Sequence, residues 1–375
     1  MSITDLEKQR LRMVGDKMKA LLVLENGMAF EGTGFGDERD TLCEVVFNSA
    51  MCGYSELLTD PSYAGQGVVM AYPLIGNYGI CYDDMESTKP WVSAYIVHTL
   101  SERPSNFRCE VDLNTFLKNN HIPGMQGVDT RALTKVLRES GTMRGMIAYG
   151  DSIDPEKMKK KVQSFVLEPT VPIVSCRESS VYGDGPVRVA LADYGVKNHI
   201  IRSLVKRGCT VKRFPYDASF EEMMEFQPDG IMLTNGPGDP KDCKKSIAEL
   251  KKVYAYGIPT FAICLGHQLM ALAMGFDTYK LKYGHRGINH PVKDLFENRV
   301  FITSQNHGYV VNGDTIDPSV ADIRFTSMND GSIEGLTYKN GKVFSVQFHP
   351  EASPGPLDTG FLFDKFMTLM GGSRL

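Results

Sequence analysis

Cys264 stands in the run Pro259-Thr260-Phe261-Ala262-Ile263-Cys264-Leu265-Gly266-His267-Gln268, where an apolar strand breaks at a small-residue corner and a helix opens near His267. At such a corner the side chain is held clear of the backbone. The free N–H groups and positive dipole end of the following helix favour thiolate over thiol, which is what a nucleophile needs. Taken alone, Cys264 reads more readily as a buried structural cysteine; the strand, corner and helix around it tip the balance to catalysis. Far later, Gln347-Phe348-His349-Pro350-Glu351 offers an imidazole followed two positions on by a carboxylate. An extended chain puts residues i and i+2 on one side, so Glu351 can fix the His349 tautomer and stabilise its imidazolium. The third element is Asn235-Gly236-Pro237-Gly238-Asp239-Pro240. Two glycines bracketing a proline make a stiff loop whose N–H groups approach a ligand with no Cβ in the way. Read with the cysteine, it is an oxyanion pocket in which the N–H groups of Gly236 and Leu265 face one developing charge; read alone, it is a plain turn.

The elements that must position these groups form a β-α-β series. A strand is expected over Val187 to Ala192, a helix over Asn198 to Arg207, a strand around Val211 to Phe214 and a helix entered through the Ser219/Glu222 capping box. Strand Gly230 to Leu233, a helix from about Lys241 to Tyr256 and the Cys264 strand follow. The series implies an α/β fold with a doubly wound, mostly parallel sheet, whose ligands bind beyond the carboxyl ends of the strands, where Cys264 falls. After about Asp277 the pattern becomes hairpin-like, and a last amphipathic helix carries Phe361, Leu362, Phe366 and Met370.

Upstream lies a separate N-terminal mixed β/α domain, as expected for 375 residues, which exceed one ordinary core. It opens with a hairpin whose Asn26-Gly27 pair suits a two-residue turn. A helix is expected from about Arg131 to Glu139, capped by Asp129 or Thr130. The boundaries read as an extension over 1–18, the front domain over 19–150, a proline-rich, less regular linker over 151–186 and the second domain over 187–375.

Net charge of -4 with interspersed signs excludes an electrostatic footprint for nucleic acid or an anionic membrane. Lys157 to Lys161 reads as a solvated helix face. Eight cysteines without a C-x-x-C pair fit a reducing compartment, and no run reaches the roughly 18 apolar residues of a membrane span, so a cytoplasmic location is expected. Residues 1–19 look like neither a signal peptide nor an anchor. No nucleotide-binding glycine loop is present. His267, three residues past Cys264 at a helix start, suits packing or capping. His285 and His290 in Gly284-His285-Arg286-Gly287-Ile288-Asn289-His290-Pro291 lack a nearby carboxylate or cysteine in the sequence, so no metal site is expected.

The Cys264 corner, the Asn235 to Pro240 loop and His349-Pro-Glu351 resemble class I glutamine amidotransferases. Further segments narrow the resemblance to the small, glutamine-hydrolysing subunits of carbamoyl phosphate synthases. They are Glu44 to Asn48, Leu58 to Tyr63, Pro73 to Gly79, Gly284 to Gly287, Gln305 to Gly308 and His349 to Pro356. The resemblance runs from about Met18 to the C-terminus and includes the front domain, which free-standing glutaminases of anthranilate or GMP synthesis lack. It implies that Cys264 is the nucleophile, His349 the acid/base and Glu351 its orienting partner. Glutamine would be held by Ser62, Gly236, Gly238, Leu265, Gln268, Asn306, Gly308 and Tyr309. It implies no cofactor in this chain, and a large subunit that uses ATP and Mg to turn bicarbonate and ammonia into carbamoyl phosphate for arginine and pyrimidine synthesis. Three departures stand out: Ala262 where the family usually has glycine, Tyr309 where phenylalanine also occurs, and residues 1–17 ahead of the usual start. Two rivals remain, a glutaminase serving another synthase and a catalytically silent docking subunit.

Overall fold

Along the strands of the second half, consecutive side chains alternate between two cores. Ala190, Ala192, Ile231, Leu233, Ala262 and Val343 fall in one, and Val189, Leu191, Met232, Phe261, Ile263, Phe344 and Val346 in the other. The period of two sends alternate residues to opposite faces, and both faces are apolar because both are covered. Helices Phe220–Glu225, Lys244–Tyr256 and Leu265–Ala273 cover the first face. Asn198–Val205 and Phe361–Leu369 cover the second. The Ser219/Glu222 capping box forms in full, and Gly257 ends its helix in the left-handed region.

The computed structural model describes residues 17–371; the expected extension thus lies almost wholly outside the described residues. Its main sheet has ten strands. The central five, in the order Cys209–Pro215, Val187–Asp193, Gly230–Leu233, Thr260–Ile263 and Val343–Val346, are parallel. Beyond Val343–Val346 the sheet continues antiparallel through Ile333–Tyr338, Ala321–Ser327, Thr278–Asp294 and Arg299–Val311.

The front half closes seven strands into a barrel, from Lys19–Leu24 and Ala29–Gly36 round to Thr41–Asn48 and Met143–Tyr149. Helix Thr130–Ser140 is capped by the Asp129 carboxylate and packs Leu133 and Leu137 into the barrel's core. Two local expectations are corrected. The first hairpin has a three-residue loop: the Gly27 N–H donates to Leu24 O, the Leu24 N–H to Met28 O, and only Gly27 is left-handed, at φ 88°. That is a type I turn closed by a glycine bulge, which needs one positive φ where a primed turn needs two. Segment 151–186 is more regular than its prolines suggest. Pro155 and Pro172 sit in the first turns of helices Pro155–Ser164 and Val171–Val174, where a missing N–H costs nothing. Met158 and Val162, one turn apart, seat the first helix against Val23, Met146 and Ala148 of the barrel, and Ser180–Tyr182 adds an edge strand to the main sheet.

Candidate active site

The Thr260–Ile263 strand pairs in parallel with Val343–Val346, so both strands end at the same sheet edge and deliver Cys264 and His349 there. The Cys264 N–H donates to Val346 O at 2.8 Å. Cys264 itself has φ 53° and ψ -105°, a conformation L residues rarely adopt, and Leu265–Ala273 starts at the next residue. Such a strained strand-to-helix corner persists only where surrounding packing over-determines it, and it projects the side chain above the sheet. Gly266 is required there: a Cβ would lie 2.6 Å from Leu233 O. Ala262 points into the core beneath the helix and does not line the cavity, so the family departure at this position leaves the site unobstructed.

A cavity of about 420 Å³ opens over the Cys264 sulfur. Ser62, Gly236, Gly238, Gln268, Asn306, Gly308 and Tyr309 line it, and Leu265, buried, follows the cysteine at the helix start. Gln268 donates to Tyr309 O at 2.8 Å and to Gln347 Oε1 at 3.0 Å. Ser62 comes from the front domain. Asp60 caps the Pro61–Tyr63 turn and accepts from Asn306 Nδ2 at 3.0 Å, while Asn235 Nδ2 donates to Ser62 Oγ at 2.9 Å. The two halves of the chain therefore share one site.

Behind the sulfur, His349 Nδ1 lies 2.6 Å from Glu351 Oε1, and both groups are buried. The pair is made across a turn and not along an extended strand as expected: His349 bridges to Ser304, and the Ala352 N–H donates back to His349 O. His349 Nε2 has no hydrogen-bond partner among the described residues. Burial, and after it the Lys197 charge, oppose a charged His349 ring, but the Glu351 charge and hydrogen bond together with the nearby Cys264 thiol push the ring upward on balance. Burial likewise opposes a charged Glu351, yet Lys197 and His349 hold it below the usual carboxylate range. Both shifts favour the charged pair, imidazolium facing carboxylate.

Lys197 was not singled out in the sequence. Its ammonium lies 3.0 Å from Glu351 Oε1 and donates to Ala352 O. It follows the Val187–Asp193 strand, so the rule that function gathers at the carboxyl edge of a parallel sheet would have found it. Lys197→Met is expected to lower glutamine turnover at least tenfold and to cost about 3 to 5 kcal/mol of stability, the usual penalty for leaving a buried charge without its partner. Because Glu351 titrates below its unfolded range, its contribution is present above about pH 4 and is lost as pH falls further. Urea unfolding of the two proteins should therefore differ at pH 7 and converge toward acid.

Arg286, also unforeseen, is buried and lines the cavity near Cys264. His267 is core: its Nδ1 lies 2.7 Å from Ser345 Oγ, and burial pushes the ring down to about 3. The sequence argument against carboxylates near His285 is corrected, since the fold brings Asp330 and Glu334 against that ring from elements far along the chain.

No helix among the described residues is long and apolar enough to cross a membrane. The family described as carbamoyl-phosphate synthase small chain, CPSase domain, matches residues 22–147, and glutamine amidotransferase class-I matches residues 190–369. The carbamoyl phosphate synthase small chain of Clostridium perfringens is 53% identical over 351 residues, 93% of this chain and 99% of that one. Those of Listeria monocytogenes and Bacillus cereus are 47% and 48% identical, covering 95% and 94% of this chain and 98% and 96% of theirs. With both halves matched and near-complete coverage on both sides, the chain belongs to the carbamoyl phosphate synthase small chain family and carries its class I glutamine amidotransferase domain.

Proposed function

We propose that this chain hydrolyses glutamine through a Cys264-His349-Glu351 triad and a γ-glutamyl thioester, and passes the ammonia to a large subunit that makes carbamoyl phosphate. The observation that carries the reading is a cysteine on a strained strand-to-helix corner, under a polar cavity and backed by a buried imidazole, carboxylate and ammonium. The Cys264 sulfur attacks the side-chain carbonyl carbon of glutamine, and the oxyanion is met by the N–H groups of Gly236 and Leu265. His349, already protonated, gives its Nε2 proton to the departing amide nitrogen. Ammonia leaves and the thioester remains. The neutral ring then takes a proton from water, whose oxygen attacks the thioester, releasing glutamate and restoring sulfur and imidazolium. Glu351 keeps the proton on the His349 Nδ1 facing it, and Lys197 keeps Glu351 ionised.

Ser62, Gly236, Gly238, Leu265, Gln268, Asn306, Gly308 and Tyr309 hold the substrate, with the Arg286 guanidinium available to its α-carboxylate. ATP and Mg act on the large subunit, with bicarbonate as co-substrate, in the cytoplasm and toward arginine and pyrimidines. Glutamate release by the chain alone and with its large subunit tests the assignment. The expected result is slow release alone, faster release in the complex, and glutamate formed in step with carbamoyl phosphate. A complex that uses ammonium but never glutamine would make the chain a docking subunit, and glutamine use only with a different synthase would reassign the partner.

A further inference from the structure

Three side chains that the proposed chemistry does not use converge inside the antiparallel part of the sheet. His285, His307 and Glu334 come from strands Thr278–Asp294, Arg299–Val311 and Ile333–Tyr338, all are buried, and one ligand atom from each lies within 4.8 Å of the others. The far side of each is already held. His285 Nε2 meets Asp330 Oδ2 at 2.9 Å, His307 Nδ1 meets Tyr309 O at 2.9 Å, and Glu334 Oε2 accepts from Gln305 Nε2 at 3.0 Å. An imidazole anchored on one nitrogen by a carboxylate or a backbone carbonyl, with the other nitrogen turned inward, is the usual outer shell of a metal-binding histidine.

Two of the three near-side atoms, His285 Nδ1 and Glu334 Oε1, have no hydrogen-bond partner among the described residues. His285 Nδ1 and Glu334 Oε1 face each other at 3.4 Å with no hydrogen bond, and His307 Nε2 is 4.0 Å from the same oxygen. Because His307 must carry its proton on Nδ1 to donate to Tyr309 O, the Nε2 of the neutral ring is a lone pair. It nevertheless meets the Gln305 carbonyl oxygen at 3.1 Å, and that amide is oriented by its own donation to Glu334. Acceptor facing acceptor in a buried site is unfavourable unless a cation lies between them.

We propose that His285, His307 and Glu334 form a binding site for a divalent transition metal of the zinc class, with Gln305 Oε1 beside its fourth position. Two imidazoles and one carboxylate suit zinc and its neighbours, whereas magnesium and calcium prefer all-oxygen shells. Bonds of about 2.0 to 2.1 Å in a tetrahedron place ligand atoms roughly 3.3 Å apart, so small side-chain shifts complete the geometry. His307 sits between Asn306 and Gly308, so the ion ties down the strand that borders the glutamine cavity.

The test reads metal content, independently of glutamine hydrolysis. The full chain in complex with its large subunit, carrying Cys264→Ala so that the nucleophile takes up no metal, is stripped with a chelator and titrated with Zn²⁺ against a chromophoric competitor. One tight Zn²⁺ per small chain is expected, weakened at least 100-fold by His285→Ala or Glu334→Gln and about 10- to 100-fold by Asp330→Asn. Glu334→Gln preserves shape and keeps the test open if His285→Ala misfolds. No tight Zn²⁺ in the parent, or uptake unchanged in Glu334→Gln, overturns the proposal and leaves His285 as a plain imidazolium between two carboxylates.

Discussion

Cys264→Ser in the complex is expected to lower glutamine-dependent carbamoyl phosphate synthesis by roughly 10⁴-fold or more, the scale seen when a triad nucleophile is removed, while ammonia-dependent synthesis stays within about twofold. The hydroxyl replaces the thiol at nearly the same size, so the strained corner and the 2.8 Å bond from the residue-264 N–H to Val346 O should persist. What is lost is the nucleophile, because a hydroxyl oxygen is intrinsically a far weaker nucleophile than a cysteine sulfur. External ammonium bypasses the small chain, so its use isolates the chemistry from assembly. Equal loss of both activities would make Cys264 a structural residue and overturn the glutaminase mechanism. Residual glutamine use above about one part in a thousand would mean that another group attacks the amide.

Much of this site was legible before any coordinates because the residues that carry it are short-range signals. A strand, a corner and a helix around Cys264 can be read in ten residues, and the parallel series from Val187 fixes which sheet edge they reach. The His349/Glu351 contact was foreseen from their spacing, but the geometry that makes it is a turn, since strand periodicity does not reveal where the backbone leaves the sheet. Lys197 and Asp60 escaped notice for a different reason. Position after a parallel strand marks Lys197 only as a residue at the functional edge, and the partners that give the two residues their meaning, Glu351 and Asn306, lie more than 150 positions away. The same holds for His285, whose carboxylate neighbours arrive from 45 and 49 residues away (330 − 285 and 334 − 285), Asp330 from a turn and Glu334 from a strand whose register no spacing rule predicts. Prolines misled in the opposite direction: at 155 and 172 they start helices, although in the sequence they look like interruptions.

Gly236→Ala is the substitution with the next largest expected effect, because backbone and not a movable side chain stands in the way. A Cβ on Gly236 would lie 2.2 Å from Tyr194 O and 2.8 Å from Leu265 Cδ2. Tyr194 is itself buried, and its N–H donates to Thr234 Oγ1 at 2.9 Å, so that carbonyl has little freedom to retreat. The loop must move instead, and with it the N–H assigned to the oxyanion. Losing one such donor typically costs about 3 to 4 kcal/mol at the transition state, or 10²- to 10³-fold in turnover. A donor that acts on the developing charge should show this mainly in kcat, with KM for glutamine changed far less, while ammonia-dependent synthesis continues. If KM rises and kcat holds, Gly236 serves ground-state binding and the oxyanion must be met elsewhere. Gly313→Ala is the matched control, since its Cβ would meet only the Ile333 side chain at 3.3 Å, well outside the cavity lining. A comparable loss of kcat there would trace the Gly236 effect to general destabilisation and remove the loop from the mechanism.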